Sequence, residues 1–500
     1  MSQGASPVVD PVKAIQDLLG RRRVLTVSNR EPYVRKEGPD GEPQYEIRAG
    51  GLVTALTPVM RSCGGVWIAW EPDSEPDAEH RREQVPEEGP RFTLRQVPLS
   101  QTDVEQYYQG FANQALWPLC HYFVDRCHFD ENEWSAYHDV NQRFADAVVD
   151  EEGDEDLIWI HDYHFCLAPK LIRERSRQRN PIAFFLHIPF PSQQVYRILP
   201  WRREVLMGML GSDFIGFHTP GYVHNFLNAC QAILGADVDY ASGRVRWEGR
   251  NIDVSPYPIG IDTASFEEMA NTEEVETSVP RLRSHVGVEK IVLGVDRLDY
   301  SKGILQRLFA VERLFDNYPQ FRRKVTFIQV AVPSRTNVTE YEKLKREVDE
   351  TIGRINGKYS DARWAPIIYI YRGLPRSELV SYFKAADVAL ITPLRDGMNL
   401  VAKEYVATHT DDDGVLVLSE FAGAGDEMKD GAVLVNPYSV QDMVTALEWA
   451  LTMSPEERSR RMKLMREVVK KHDINYWLTS IVARTLEMSS LSRPATGDVP

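Results

Sequence analysis

The sequence predicts an α/β protein with two doubly wound, Rossmann-like domains, each a parallel sheet covered by helices. Its 500 residues exceed the roughly 250–300 that one hydrophobic core usually fills, so two cores are expected. In both halves, short apolar runs alternate with longer helical patterns. Runs that are apolar throughout are typical of strands buried on both faces of a parallel sheet.

Five such runs are predicted strands in the first half: residues 24–27, 65–70, 157–160, 183–186 and 214–217. The second half repeats the pattern, and its predicted strands are residues 291–295, 325–330, 367–370, 388–391 and 415–418. Between the halves, Pro258 and Gly260 interrupt an apolar run. We therefore expect the domain boundary near residue 260.

The resulting domain plan begins with an N-terminal extension over residues 1–20. The first domain is expected over 21–260 and the second over 261–475. A C-terminal helix over 476–489 is expected to cross back to the first domain, before a mobile tail over 490–500 that is rich in Ser, Pro and Gly. Because ligands of open α/β sheets bind beyond the carboxyl ends of the strands, we expect the domains to face a central cleft that holds the site.

One exposed hairpin is also predicted, over residues 31–48. Its centre, Pro39-Asp-Gly41, is a turn signal between two flanks with some β propensity. We expect this hairpin to lie over the cleft.

Composition argues against several classes of protein. A net charge of −15 and a pI of about 5.4 disfavour nucleic acid as a partner, since that binding depends on Lys and Arg. No run approaches the roughly 20 apolar residues of a membrane span, and the N-terminus does not resemble a secretory signal. Five cysteines without C-x-x-C spacing indicate neither a disulfide framework nor a zinc site. We expect a cytoplasmic protein without metal or cofactor, and a homo-oligomer.

The most informative segment follows the strand predicted at residues 388–391. It reads Arg395-Asp-Gly-Met-Asn-Leu-Val-Ala-Lys-Glu-Tyr405, a Gly-containing turn that leads into a helix. The first N–H groups of a helix have no intrahelical partner, so they are available to hydroxyls or phosphates. Asp396 precedes the helix and Glu404 lies one turn inside it, and both accept hydrogen bonds when ionised. This combination is typical of a sugar-nucleotide site.

Cations follow several predicted strands. Arg297 and Lys302 lie near one helix start and suit a diphosphate, whose negative charge grows as its bond to a sugar breaks. An ion-paired surface turn, with Asp296 and Asp299 as local partners of these cations, is the competing interpretation. Arg30 and Arg335 also follow strands, where a guanidinium can bind a phosphate through two parallel hydrogen bonds.

Glycines and histidines complete the candidate site. Gly50 and Gly51 precede a helical pattern and would let an anion approach its N–H groups, although a plain tight turn is an alternative. We interpret His161-Asp-Tyr-His164 as extended, and histidines three apart share a face only on a helix. Asp162 suits sugar hydroxyls. His187 suits a leaving-group oxygen, whereas a buried histidine bonded to backbone is the more common outcome.

Together these residues resemble the trehalose-6-phosphate synthases, retaining glycosyltransferases of family 20 with the two-domain GT-B fold. The resemblance runs from about residue 24 to about residue 477. The motifs that carry it occur in one order: Ser28-Asn-Arg30, Gly50-Gly51, Tyr107-Tyr108, Leu116-Trp-Pro118, Trp159-Ile-His-Asp-Tyr-His164, His187-Ile-Pro-Phe-Pro191, Arg297-Leu-Asp-Tyr-Ser-Lys-Gly303, Arg354-Ile-Asn-Gly-Lys358, Thr392-Pro-Leu-Arg-Asp-Gly-Met-Asn-Leu-Val-Ala-Lys-Glu-Tyr405 and Glu420-Phe-Ala-Gly423.

The resemblance implies transfer of glucose from a nucleotide-glucose, usually UDP-glucose, to glucose 6-phosphate, which gives α,α-trehalose 6-phosphate. It implies a front-face substitution in which the leaving diphosphate takes the proton of the acceptor hydroxyl. The implied catalytic residues are His187, Arg297, Lys302 and Asp396. The implied donor-binding residues are Gly50, Gly51, Arg297, Lys302, Leu374, Asp396, Gly397, Met398, Asn399, Leu400, Val401 and Glu404, with Glu404 on the ribose. The implied acceptor-binding residues are Arg30, Tyr108, Trp117, Asp162 and Arg335.

Two alternatives stay open. Glucosylglycerol-phosphate synthases share the fold and use glycerol 3-phosphate as acceptor, and Arg30-Glu-Pro-Tyr33, the hairpin and Ile198-Leu-Pro-Trp-Arg202 resemble them. Four motifs favour glucose 6-phosphate instead: Ser28-Asn29, Gly50-Gly51, His187-Ile188 and Pro333-Ser-Arg335. The other alternative is a relative that binds sugar phosphates without transfer. Its signature would be loss of a charged donor residue, and all four are present: Arg297, Lys302, Asp396 and Glu404.

Overall fold

A computed structural model describes residues 11–37, 43–47, 53, 56–57, 59–61, 64–71, 82–86, 91–334 and 339–492. By its contacts the chain divides into two units. The first unit comprises Met1–Tyr257 and Asn475–Pro500, and the second comprises Pro258–Ile474. The chain therefore passes from one unit to the other twice, after Tyr257 and after Ile474.

The first unit contains a ten-stranded sheet and a separate two-stranded hairpin. In chain order its strands are β1 (Val24–Arg30), β2 (Tyr33–Glu37), β3 (Pro43–Ile47), β4 (Val66–Glu71), β5 (Arg82–Val85), β6 (Phe92–Pro98), β7 (Leu157–His161), β8 (Ile182–Phe185), β9 (Phe214–Phe217), β10 (Asp237–Asp239), β11 (Arg244–Trp247) and β12 (Arg250–Pro256). The strand order of the large sheet is β10-β11-β12-β9-β8-β7-β1-β4-β6-β5.

Pairing in the large sheet is parallel from β12 through β6 and antiparallel at both edges. Every residue of β7, β8 and β9 is buried. Their apolar composition follows from this position, since helices cover both faces of a central parallel strand. The polar residues that follow these strands lie at the carboxyl edge of the sheet.

The helices of the first unit are α1 (Pro11–Leu19), α2 (Gln101–Asp103), α3 (Trp117–Cys120), α4 (Glu131–Glu151), α5 (Ala168–Arg175), α6 (Gln193–Tyr196), α7 (Arg202–Met209) and α8 (Pro220–Ala229). Two π-helical segments, Val104–Leu116 and Cys230–Leu234, and two 3₁₀ turns, Val124–Arg126 and Tyr163–Phe165, complete this set. The long helix Ile474–Ser492 begins at the last residue of the second unit and otherwise belongs to the first.

The second unit contains a six-stranded sheet that is parallel throughout the described residues. Its strands are β13 (Lys290–Arg297), β14 (Val325–Val332), β15 (Ile367–Ile370), β16 (Val388–Ile391), β17 (Val415–Ser419) and β18 (Val433–Val435), in the order β15-β14-β13-β16-β17-β18. Its core packs Leu308, Phe327 and Leu390 among other buried apolar side chains.

The helices of the second unit are α9 (Thr263–Ala270), α10 (Glu273–Val286), α11 (Ile304–Asn317), α12 (Thr339–Tyr359), α13 (Arg376–Ala385), α14 (Leu400–Thr408), α15 (Gly423–Met428), α16 (Val440–Thr452) and α17 (Pro455–Lys471), and the helix Ile474–Ser492 is α18. Tyr300–Lys302 and Pro319–Phe321 are 3₁₀ turns. No helix in the described part of the chain is long and apolar enough to cross a membrane.

The predicted α/β fold with two doubly wound sheets is confirmed, and each of the ten predicted strands is present. The predicted hairpin is present as β2 paired antiparallel with β3, while its turn at residues 38–42 lies outside the described residues. Of the predicted mobile tail at residues 490–500, residues 490–492 are instead the last residues of the helix that ends at Ser492, and residues 493–500 lie outside the described residues.

Candidate active site

The turn before α14 holds Asp396 in a fixed geometry. Asn399 caps α14, since its side-chain oxygen accepts a hydrogen bond from the Ala402 N–H at 3.1 Å. The backbone of Asn399 has φ +77°, in the left-handed region that Asn tolerates better than most residues. Asp396 accepts hydrogen bonds from the Met398 N–H at 3.3 Å and the Asn399 amide at 3.0 Å. The carboxylate is thereby oriented by its own turn.

Lys302 reaches the same carboxylate from another strand end. After β13 the chain forms the turn Tyr300–Lys302, and the Lys302 Nζ lies 2.6 Å from the Asp396 Oδ2. The next residue, Gly303, has φ +65°, and a Cβ there would lie 2.3 Å from the Thr392 carbonyl oxygen, so only glycine fits. Close contact between the two turns therefore brings the cation and the carboxylate together.

A buried arginine that the sequence analysis did not single out lies behind Lys302. Arg307, on α11, is fully buried, and its guanidinium donates to the Lys302 carbonyl oxygen at 3.2 Å. It also donates to Asp296 at 2.6 Å, to Gln329 at 3.0 Å and to the Thr392 hydroxyl at 3.2 Å. Arg307 thus connects β13, β14 and the residue after β16 to the turn that carries Lys302. Arg307 could have been recognised in the sequence as a charged residue within the apolar stripe of an amphipathic helix.

Glu404 lies one turn into α14 and is partly buried. Burial raises its pKa to about 7, and the nearby Arg376 opposes that rise. A carboxyl group with this pKa changes its charge near neutral pH. Leu374 lies in the segment between β15 and α13, two residues before Arg376. Arg376, which acts on the pKa of Glu404, thus lies close in sequence to Leu374.

Four of the other predicted donor residues are contiguous with the Asp396 turn. Gly397, Met398, Leu400 and Val401 continue from Asp396 into the first turn of α14. Arg297 is the last residue of β13 and its side chain is exposed. Three further predicted site residues, Gly50, Gly51 and Arg335, lie outside the described residues.

Arg30 and Tyr108 meet in the first unit. Arg30 ends β1, and its guanidinium donates to the Tyr108 hydroxyl at 3.2 Å while lying 5.4 Å from the centre of that ring. Tyr108 stacks on His164, with ring centres 5.7 Å apart. It lies in the π-helical segment, a rare conformation that is frequent at functional sites. The exposed cation and the phenol suit a phosphate and a hydroxyl respectively.

Asp162 has the most strained backbone near this edge. It follows β7 with φ +76° and ψ 170°, a region that is almost confined to glycine. Its N–H donates to the Phe185 carbonyl oxygen at 2.8 Å, and its carboxylate accepts from the His187 N–H at 3.2 Å. These contacts keep an unfavourable conformation in place, which is typical of residues that a site requires in one orientation.

The predicted extended conformation from His161 to His164 is wrong beyond His161. The strand β7 ends there, and Tyr163–Phe165 forms a 3₁₀ turn, because Asp162 redirects the chain. His161 and His164 consequently do not lie on one helix face. In the described residues no group of three or more His, Cys, Asp or Glu side chains is arranged to hold a metal ion.

His187 follows β8 and contacts His161 rather than a backbone group. The His161 Nδ1 and the His187 Nε2 are 3.2 Å apart. Burial lowers the pKa of His187 to about 3, and burial together with His187 lowers the pKa of His161 well below its usual value. Both rings are therefore neutral at physiological pH.

Trp117 lies where the π-helical segment passes into α3. Its side chain is 4% exposed, and its ring is 4.1 Å from the His121 ring and 5.8 Å from that of Tyr163. A ring this buried can offer a ligand only one edge. Trp117 thus lies near the Tyr163–Phe165 turn, and its main role there is packing.

The profile of glycosyltransferase family 20 matches residues 22–487. The chain belongs to this family. The match covers both sheets and includes every described residue that the sequence analysis assigned to a site. The predicted family resemblance is confirmed.

Relatives in family 20 agree along most of the chain. A UDP-forming alpha,alpha-trehalose-phosphate synthase A of Dictyostelium discoideum is 39% identical over 468 residues, which cover 94% of this chain and 63% of that protein. The chain thus spans less than two thirds of that relative's length. A UDP-forming alpha,alpha-trehalose-phosphate synthase of Candida albicans is 39% identical over 463 residues, which cover 92% of this chain and 96% of that protein.

Solved structures of family 20 proteins share the fold. The UDP-forming alpha,alpha-trehalose-phosphate synthase of Burkholderia xenovorans, in complex with glucose-6-phosphate, is 35% identical to this chain, with a TM-score of 0.84. The similarity covers 93% of this chain and all of that one. The GT-B fold predicted from the resemblance is therefore confirmed.

Proposed function

We propose that the protein transfers glucose from UDP-glucose to glucose 6-phosphate with retention of configuration, and forms α,α-trehalose 6-phosphate and UDP. The observation that carries this proposal is the pair of Lys302 and Asp396 at the first turn of α14. The names of the Dictyostelium and Candida relatives support UDP as the leaving group. The glucose-6-phosphate complex of the Burkholderia relative supports the acceptor.

In this proposal the second unit binds most of the donor. Lys302 and Arg297 neutralise the diphosphate, and the amides of residues 397–401 bind its oxygens or the sugar hydroxyls. Asp396 accepts hydrogen bonds from the glucose, Glu404 accepts from the ribose, and backbone at Leu374 meets the base. Lys302 already lies 2.6 Å from Asp396, so donor binding does not require that cation to be brought in from solvent.

The first unit binds most of the acceptor. Arg30 binds the phosphate, and Tyr108 and Asp162 bind hydroxyls. The strained backbone of Asp162, with φ +76°, supports this role because it fixes the carboxylate beside His187. His187 donates a hydrogen bond to an oxygen of the donor.

Retention proceeds here without a covalent enzyme intermediate. The carboxylate of Asp396 is held by the Met398 N–H, the Asn399 amide and Lys302, an arrangement that suits binding of the glucose rather than attack on its anomeric carbon. We therefore assign the acceptor proton to the leaving phosphate, as the acceptor oxygen bonds to the anomeric carbon on the face that UDP leaves. The rate acceleration then comes from positioning of the two substrates and from stabilisation of the charge on the leaving diphosphate.

A cytoplasmic location and a homo-oligomeric state are part of the same proposal. Cys120, Cys166 and Cys230 are buried free thiols, and both proposed substrates are phosphorylated metabolites, which suits a reducing compartment. Light scattering on the purified chain tests the oligomeric state, for which a mass of 57.2 kDa would mean a monomer.

The decisive experiment measures nucleoside diphosphate release from UDP-, GDP- and ADP-glucose, each with glucose 6-phosphate or glycerol 3-phosphate. We expect UDP release with UDP-glucose and glucose 6-phosphate, and an α,α-linked disaccharide phosphate as product. Release with glycerol 3-phosphate alone would make the protein a glucosylglycerol-phosphate synthase. Tight binding of both substrates without release would make it a non-catalytic relative.

A further inference from the structure

The paired histidines at the ends of β7 and β8 share one proton between two ring nitrogens. The His161 Nδ1 and the His187 Nε2 are 3.2 Å apart, so one of them donates and the other accepts. Both rings are neutral, because burial lowers both pKa values below the physiological range. A neutral imidazole carries a single N–H, so the direction of this bond decides which nitrogen of His187 can donate to a ligand.

The surroundings of His161 favour one direction. Its side chain is fully buried, and its Nε2 contacts no hydrogen-bond partner among the described residues. If His187 donated, His161 would carry its proton on that Nε2 and bury an unsatisfied donor. Buried N–H groups without an acceptor are among the rarest unsatisfied groups in proteins.

Two tryptophans around the pair strengthen this preference. The ring of Trp159 lies 5.0 Å from that of His161, and the ring of Trp477 on α18 lies 6.4 Å from it. Indole carries a donor and no acceptor, and the N–H groups of both rings are themselves buried without a partner in the described residues. A proton on the His161 Nε2 would add a third unsatisfied donor to this cluster, whereas a lone pair there would not.

We propose that His161 is a positioning residue that donates from Nδ1 to the His187 Nε2 and so holds His187 in the tautomer protonated on Nδ1. His187 is partly exposed, and its Nδ1 contacts no partner in the described residues. The ring thereby presents a neutral hydrogen-bond donor at the carboxyl edge of the sheet. The use of that donor on a substrate oxygen rests on the proposed function, while the tautomer itself does not.

The backbone of His187 supports a fixed donor. Its N–H donates to the Asp162 carboxylate at 3.2 Å, so backbone and ring are held by adjacent residues of β7 and the turn that follows it. The Phe185 and Trp477 rings, 4.7 Å and 6.0 Å from the His187 ring, limit its rotation. The ring therefore has one orientation and one proton to offer.

Nitrogen-15 NMR on the full chain with labelled histidine reads the tautomer directly. Two-bond correlations at about pH 8, where ordinary histidines are also neutral, identify the protonated ring nitrogen. The His187→Gln and His161→Asn variants assign the two signals. We expect both histidines to be protonated on Nδ1, and a proton on the His187 Nε2 would overturn the proposal. This result does not depend on activity, so it can fail while the proposed function holds.

A matched pair of variants tests the positioning role. Asn and Leu have the same number and branching of side-chain heavy atoms, but only Asn in place of His161 keeps an N–H donor near the former Nδ1. We expect His161→Asn to keep kcat within about threefold and His161→Leu to lower it about tenfold, the usual worth of one hydrogen bond, with both KM values unchanged. Equal losses in kcat for the two variants, or losses confined to KM, would overturn the role.

Discussion

The two units differ in the contacts at the carboxyl ends of their strands. The second unit has ion pairs there, whereas the first unit has contacts between neutral aromatic rings. Lys302 pairs with Asp396 at 2.6 Å, and the buried Arg307 pairs with Asp296 at 2.6 Å. In the first unit, the side chains at the ends of β7 and β8 meet as the neutral rings of His161 and His187, whose Nδ1 and Nε2 atoms are 3.2 Å apart. At the end of β1, the Arg30 guanidinium contacts the Tyr108 hydroxyl rather than a carboxylate.

This difference matches the chemistry proposed for each unit. A leaving diphosphate gains negative charge during the reaction, and cations held in advance stabilise that change. Sugar hydroxyls require directed donors and acceptors, which neutral histidine and tyrosine and the carboxylate of Asp162 supply. If this account is right, variants that remove charge from the second unit should impair use of the donor, and variants of the first unit should impair binding of the acceptor.

The largest effect is expected from Lys302→Met. It removes a cation that we assign to the leaving group, and it should lower kcat/KM for UDP-glucose by roughly 10²–10³-fold, as loss of one transition-state donor does. Lys463→Met is the matched control, since that side chain is 61% exposed. Steady-state kinetics should show no change for Lys463→Met, and a loss below threefold for Lys302→Met would remove its role.

A second test targets the buried charge behind the site. Arg307→Met leaves the buried Asp296 carboxylate uncompensated and should lower stability by about 3–5 kcal/mol. Thermal unfolding should show a Tm lower by roughly 10 °C. Arg460→Met, which breaks an exposed pair with Glu457, should shift Tm by only about 1–2 °C. Equal shifts for the two variants would mean that Arg307 is not the support described here.

A smaller effect is expected from the titration of Glu404. Its pKa of about 7 means that it is protonated below neutral pH, and a protonated carboxyl cannot accept both ribose hydroxyls. UDP-glucose affinity should therefore fall about tenfold between pH 8 and pH 6, in step with the carboxylate fraction. Calorimetric titration of wild type and Glu404→Gln measures this. The variant should lose the dependence, and an unchanged profile would assign the titration to another group.

Much of the fold follows from the sequence for a simple reason. Strands such as β7 and β16 are buried on both faces, so their apolar runs are visible without a structure. The strand β6 was not predicted, because it carries Arg95 and Gln96, which are buried polar residues on an otherwise apolar strand. Its burial depends on partners elsewhere in the chain, and no local pattern shows that.

The candidate site likewise has features that follow from local sequence and features that depend on residues far apart in the chain. The positions of Asp396 and His187 at strand ends are predictable, because a motif and its strand are adjacent in sequence. The contact between Lys302 and Asp396 joins residues 94 positions apart, and it depends on Gly303 fitting under a carbonyl oxygen. Arg307 was not predicted, because it occupies a core-facing position of α11 that the helical pattern would assign to an apolar residue.

The central claim, that the second unit binds the donor's charge while the first unit binds the acceptor, has one direct test. Arg30→Met removes the exposed cation that we assign to the acceptor phosphate. Calorimetric titration of this variant with UDP-glucose, in the absence of acceptor, should give a dissociation constant within about twofold of wild type, whereas its KM for glucose 6-phosphate should rise at least about tenfold. Loss of UDP-glucose affinity as large as the rise in KM would contradict the account.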